Sequence, residues 1–280
     1  MKIFQYFLLV FIISLTACVN PFINTQERTE YYPDIEYVKE LGGLGNPQGI
    51  GIDNYGYIYV CDNGNNSIVK YNSNLDFISQ FTVTSPVDIK FDDSGDIYVL
   101  NRAGNLVIKY NKSFALIRQI LTPGLPNKIS ISSKNDIFVT EDNQVLKYSS
   151  NLNYIKSYTG TMFKGIFIDK TDLIYVCCND GDLYVLDDDL NLINRTKIVD
   201  FAGIQSIYFD SLNYMYVTAK STELYIYSPK GILKKSLNFG STLNQITINL
   251  TGEIYITRST PSIIYKYRIK NWPSVSFIDN

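Results

Sequence analysis

The chain contains no histidine. The commonest metal ligand and the commonest general base are therefore missing from all 280 residues. Cysteine is scarce, with Cys18, Cys61, Cys177 and Cys178 the full set. Three thiols remain once Cys18 is set aside, and an odd number gives no disulfide framework. Positive charge is not in excess: 25 Lys and Arg face 27 Asp and Glu. That balance argues against broad phosphate-backbone binding, so nucleic acid is not an expected partner. Apart from the amino end there is no long apolar run, so the remainder is expected to be soluble.

Aromatic bulk is plentiful, with 23 Tyr and 15 Phe. Much of it falls in a strand–turn–strand unit that occurs six times. Its core reads Ile58-Tyr59-Val60, Ile97-Tyr98-Val99, Ile137-Phe138-Val139, Ile174-Tyr175-Val176, Met215-Tyr216-Val217 and Ile254-Tyr255-Ile256. Successive copies are 39, 40, 37, 41 and 39 residues apart. A period of that size with several strands per unit predicts the blades of a β-propeller.

The rest of the unit agrees. Five residues before each core sits Asp53, Asp92, Ser132, Asp169, Asp210 or Asn249, a short polar side chain able to bond forward to a turn backbone. Two residues before it sits Gly56, Gly95, Asn135, Asp172, Asn213 or Gly252, types that tolerate positive φ. Upstream, Ile50, Ile89, Ile129, Ile166, Ile207 and Ile246 begin a short strand whose alternate residues share a face. Downstream come a third strand, as in 67–71, and a fourth, as in 77–81. Four antiparallel strands make one blade, and one blade cannot bury both its faces, so the blades must stack. The repeated Tyr and Phe read as packing between blades. The prediction is all-β: a six-bladed β-propeller over 34–280. Residues 35–41 are predicted to close the ring by pairing into the last blade, with 274–278 the competing segment. In such a ring Cys61 and Cys177 stand in opposite blades, too far apart to bond, and are expected to be buried free thiols.

Residues 1–17 read as a secretory signal: Lys2, an apolar run from Phe4 to Ile13, then small residues. Leu15-Thr16-Ala17-Cys18 resembles the lipobox of bacterial lipoproteins. The resemblance implies cleavage before Cys18 and acylation at its thiol and at the new amino terminus, which would hold the chain on a membrane. Residues 18–33, polar and without repeat pattern, read as the lipidated Cys and its tether. Loss of Lys2 would leave 24 Lys and Arg against 27 Asp and Glu, a net charge of −3. The expected location is a bacterial envelope, and Val19 and Asn20 point to the outer membrane or cell surface rather than the inner membrane.

Residues 47–71 resemble an NHL repeat, with Pro47, Gly49, Ile50, Ile52 and Asp53, then Gly56, then Asp62, Gly64 and Asn65. The other copies keep the strands and turn and lose most of the loop. Propellers of this kind serve as protein-binding platforms, and related six-bladed folds include lactonases and lyases. The resemblance is specific for fold and says little of activity.

In a four-stranded blade, the loops before the first strand and after the second surround one mouth of the central channel. The candidate binding face drawn from them is Asp62, Asn63, Asp88, Asn101, Arg102, Glu141, Asp142, Lys220 and Arg258. No catalytic set stands out. The favoured reading is a monomeric, non-enzymatic scaffold for a protein or glycan, needing no cofactor. The alternative is a lactonase-like enzyme. The resemblance to six-bladed lactonases implies an axial divalent cation held by Glu, Asn and Asp, and here Asp62, Asp88, Asn101 and Glu141 are the oxygen donors at hand, suited to calcium. Lyases and amidating enzymes on this fold rely on His, which is absent.

Overall fold

A computed structural model describes residues 32–198, 203–219 and 222–273. The leader, Cys18, the tether up to Tyr31, Lys220 and the segment 274–278 lie outside the described residues. Six four-stranded antiparallel sheets form the ring: blade 1 over 47–82, blade 2 over 86–121, blade 3 over 126–159, blade 4 over 163–197, blade 5 over 204–238 and blade 6 over 243–269. Ile35–Leu41 is the outer strand of blade 6, paired antiparallel with Ser262–Ile269 in the register Ile35↔Ile269 to Leu41↔Ile264. The amino-terminal end of the fold thus closes the carboxyl-terminal blade, as predicted from 35–41, and covers an edge that would otherwise be open.

The turn between the first two strands forms as its residue types require. Asp53 Oδ1 accepts the backbone N–H of Tyr55 and of Tyr57, each at 2.9 Å, and Asp92, Asp169, Asp210 and Asn249 repeat the pattern. The second turn position has positive φ in all six copies, from 61° to 84°. The aspartate's other oxygen accepts the hydroxyl of the aromatic in the Ile-Tyr-Val core: Tyr59, Tyr98 and Tyr216 donate at 3.0–3.1 Å. A buried tyrosine therefore keeps its hydroxyl satisfied while its ring fills the space between blades.

The core is a ring of interblade layers. Tyr98, Leu100 and Val107 of blade 2 pack on Ile129, Ile137 and Val139 of blade 3, and Tyr255 and Ile264 of blade 6 pack on Ile50, Ile58 and Val60 of blade 1. Cys61, Cys177 and Cys178 are buried free thiols. Burial pushes the Cys177 thiol up to about 12 and raises Cys61 and Cys178 further.

Strand direction gives the disc two unlike sides. One carries the hairpin turns that join strands one to two and three to four. The other carries the connections from strand two to three and from blade to blade, and surrounds one mouth of the channel. Ile35 pairs with Ile269, the turn-side end of its neighbour, so the chain enters the disc from the turn side.

Candidate functional site

The inner strands line the channel, and their third and fifth residues decide what it contains. The third residues are Gly49, Asp88, Lys128, Gly165, Ser206 and Gln245. Lys128 of blade 3 reaches across the axis to blade 6, where its Nζ donates to Gln245 Oε1 at 2.7 Å. Two funnels meet at this lysine: one of about 500 Å³ on the loop side and one of about 700 Å³ on the turn side, each lined in part by Lys128. Withdrawal from water pushes the ammonium of Lys128 below the usual lysine range, while Asp88 pulls it back up.

Asp88 is fully buried. Its carboxylate accepts the N–H of Ile89 at 2.9 Å and, across the blade junction, that of Ile129 at 3.0 Å; Lys90 Nζ stands 3.7 Å away. Gln245 Oε1 likewise accepts the N–H of Ile50 in the next blade at 3.3 Å. Innermost strands leave backbone N–H groups facing the channel, and these side chains satisfy them.

The remaining candidate residues divide by what they hold. Asp62, 1 % exposed, accepts from the N–H of Gly45 and Asn46 and from Asn65 Nδ2 at 2.7–3.1 Å. Glu141, 3 % exposed, accepts from Gly124 N at 2.8 Å and Gln144 Nε2 at 2.6 Å. Asn101 accepts from Gly104 N at 2.8 Å. These three secure loops and do not converge on the axis. Arg258 donates to the carbonyls of Phe239 and Thr260 and to the Tyr265 hydroxyl, also away from the mouth. Asp142 is paired with Lys164 Nζ at 2.5 Å, and that bond, with one from Asn127, holds its carboxyl below the usual range. Lys220 lies outside the described residues.

The donor set raised for an axial divalent cation therefore does not assemble. Among the described residues no three Asp, Glu or Cys side chains are grouped to hold a metal ion. Asp88, on an inner strand, is spent on backbone N–H groups, and the axis is crossed by an ammonium. These residues do not fit calcium.

What the loop-side funnel does present is carboxamide. Gln48, Asn63, Asn127, Gln205 and Asn244 line it, with Lys164 and Arg102. Each amide nitrogen is tied down: Gln48 to Ser259 Oγ, Asn63 to Ser85 Oγ, Asn127 to Phe163 O, Gln205 to Gly203 O and Asn244 to Pro47 O, at 2.6–3.2 Å. Their five carbonyl oxygens accept no hydrogen bond among the described residues. The exposed guanidinium of Arg102 forms no hydrogen bond or ion pair among them either. Among the described residues the mouth thus gathers five unengaged carbonyl oxygens and the guanidinium of Arg102, whose charge helps to lower the Asp142 carboxyl. Asn127 and Asn244 were not singled out from the sequence. They stand one residue before the channel-facing position, and only the equivalence with Gln48, Lys164 and Gln205 could have found them.

The turn side has a second feature. Each outer strand of blades 1 to 5 begins beside two exposed apolar residues, such as Phe77 and Ile78, Leu116 and Ile117, or Tyr154 and Ile155, at 43–63 % exposure. Leu192 and Ile193, then Ile232 and Leu233, continue the series, and Tyr37 and Val38 stand near the start of the closing strand. Isolated exposed apolar residues are ordinary; a rim of them around one side of a disc is not.

No protein-family model matches this chain, and no curated protein matches it. Solved structures do. Virginiamycin B lyase from Staphylococcus aureus superposes with a TM-score of 0.63 at 15 % identity, over 85 % of this chain and 89 % of that one. A further match, with quinupristin, is a catalytically inactive His-to-Ala form of the same lyase. A gluconolactonase from Xanthomonas campestris gives 0.69 at 10 % identity, over 81 % of this chain and 86 % of that one. At 10–15 % identity these likenesses show a β-propeller fold and nothing of activity.

Proposed function

We propose that this protein is a non-enzymatic binding module of a bacterial envelope, NHL-like in its repeats, held on a membrane by acyl chains at Cys18. Its loop-side mouth takes a glycan or a protein loop. The observation that carries this reading is the state of the polar groups at the mouth. Asp62, Asp88 and Glu141 are committed to backbone N–H groups and Asp142 to Lys164 and Asn127, while five amide carbonyls and the Arg102 guanidinium accept or donate no hydrogen bond among the described residues. A ligand rich in O–H or N–H donors and carrying an acidic group complements such a surface.

The enzymatic alternative has weaker support. Lyase neighbours include one whose His-to-Ala form is inactive, and this chain has no His. The resemblance to lactonases implies an axial cation, but the donors here are dispersed and Lys128 crosses the axis.

The anchor reading gains support from polarity. The folded body begins on the turn side, and the exposed apolar rim is on that same side. A tether of residues 18–33 would bring this side to the bilayer and leave the mouth facing away from it. The chain is expected to act as a monomer on an outer membrane or cell surface.

Two measurements test the proposal. Cys18→Ser is expected to move the protein from the membrane to the soluble fraction, and continued retention would count against lipidation. For the mouth, capture on a glycan array and by pull-down with the full chain is expected to fall at least tenfold with Arg102→Ala plus Asn63→Ala. Unchanged capture, or heat of calcium binding in calorimetry, would reject the binding-module reading.

A further inference from the structure

The third strands carry a lysine in four blades: Lys70, Lys109, Lys147 and Lys266. In three of them its ammonium spans the gap to the next blade. Lys109 Nζ donates to Ser150 O at 3.1 Å, Lys147 Nζ to Asp188 O at 2.8 Å and Lys266 Nζ to Ser73 O at 2.7 Å. Each also meets an acid of its own blade: Asp96 at 3.0 Å, Asp136 at 3.0 Å and Glu253 at 2.7 Å. The turn aspartates Asp53 and Asp92 stand 3.9 Å from Lys70 and Lys109. Three junctions are thus built around a primary ammonium between an acid of its own blade and the next blade's turn carbonyl.

Blades 4 and 5 have Val185 and Ile226 at this position. The junction after blade 5 is filled: Ile226 packs with Tyr214, Leu212 and Trp272, and Asp210 is 5 % exposed. The junction after blade 4 is not. There the shorter Val185 leaves a cavity of about 140 Å³, lined also by Asp169, Tyr175, Pro229 and Gly231. The place of Asp96, Asp136 and Glu253 is taken here by Leu173, so the acid at this junction is Asp169, the equivalent of Asp53 and Asp92. Pro229 holds the equivalent place to Ser73, Ser150 and Asp188, whose carbonyls accept from the lysines. Among the described residues no Lys or Arg pairs with Asp169, and its Oδ2 accepts from the Tyr175 hydroxyl at 3.2 Å. Exposed Lys170 stands at the rim.

We propose that the cavity between blades 4 and 5 is a binding site for a primary alkylammonium ion, which takes the position that a lysine side chain occupies at three other junctions. The expected ligand has a chain of about four carbons, the length of a lysine stem, and its three N–H donors go to Asp169 and the Pro229 carbonyl. Val185, Leu183 and Ile198 surround its methylenes. The site is on the turn side, away from the amide-lined mouth, and does not depend on the function proposed for that mouth.

The test is titration of the full chain with n-butylammonium, followed by amide-resolved NMR. Saturable shifts confined to 169–175 and 228–231 are expected, with n-butanol and tetramethylammonium binding at least tenfold more weakly. Val185→Lys should abolish the response by filling the site from within. Asp169→Asn keeps the turn, as Asn249 does in blade 6, and should weaken binding at least tenfold. An Nα-acetyl-lysine amide that binds as well as the free amine would identify the source as a lysine on another protein; one that fails to bind would identify a soluble amine. Equal binding of butanol, or undiminished binding by a folded Asp169→Asn protein, would overturn the proposal.

Discussion

Asp210 is the residue whose environment departs furthest from that of its repeat equivalents. Asp53 and Asp92 have a lysine within 4 Å, whereas Asp210 is buried beside Ile226 and Tyr216. Burial pushes its carboxyl up from 3.8 to about 6, against the bonds it accepts from Tyr214 and Tyr216. The folded chain then holds this proton more tightly than the unfolded chain does. Stability is lost as pH rises from about 4 to about 6, and the penalty is complete above that. Asp210→Asn keeps both backbone acceptor bonds and removes the charge. It is expected to stabilise the protein at pH 7 by on the order of 3 kcal/mol and to change little at pH 3.5. Urea unfolding of variant and parent at the two pH values checks this. The difference between them isolates Asp210, because Glu253 and Asp188, half-buried and held below the usual range by Lys266, and by Lys134 and Lys147, pull the parent the other way. The turn role of Asp210 was legible in the sequence from its spacing to Tyr216. Its titration was not, because that depends on which neighbour fills the junction.

Strands and junctions show the same division. Alternation and the turn residues located every inner and second strand, since burial of one face leaves little freedom in register, although each inner strand starts three residues before the isoleucine read as its beginning. The contents of the channel were less legible. Gln48 and Lys128 both read as loop residues before a strand, yet Gln48 lines the mouth while Lys128, one place further along its own inner strand, crosses the axis. A shift of one residue turns a side chain from one direction to another, and the loop lengths before each strand hide that shift. The tight approach of neighbouring inner strands gives a prediction at this scale. A Cβ on Gly49 would stand 2.6 Å from Val87 O and from Asp88 Cα, both backbone atoms of blade 2. Gly49→Ala must therefore move one blade against the next and is expected to cost about 1–3 kcal/mol, read as a lower urea midpoint. Gly56→Ala, with open space around it, strains only its positive φ of 82° and is expected to cost about 1 kcal/mol.

At the scale of the molecule, the ring holds because its last blade borrows a strand from the start of the fold. Deleting residues 33–42 removes the partner of Ser262–Ile269 and opens the layer that Ile35 shares with Ile269 and Trp272. The cooperative thermal transition is expected to be lost, and an unchanged melting curve would reject closure as the source of stability.

The sequence by itself determined the number of blades and the strands that repeat in each, and it narrowed the closing segment to 35–41 or 274–278. Those follow from hydrophobic alternation and turn chemistry, which are local and repeat six times. Only the tertiary structure decided which polar side chains are free and which are bound among the described residues, that a lysine divides the channel, and that a cavity lies between blades 4 and 5. Each of these depends on groups that are distant in sequence and meet only when the ring closes: Lys128 and Gln245 are separated by 117 residues, and Asp169 meets the turn at Pro229 across a blade boundary.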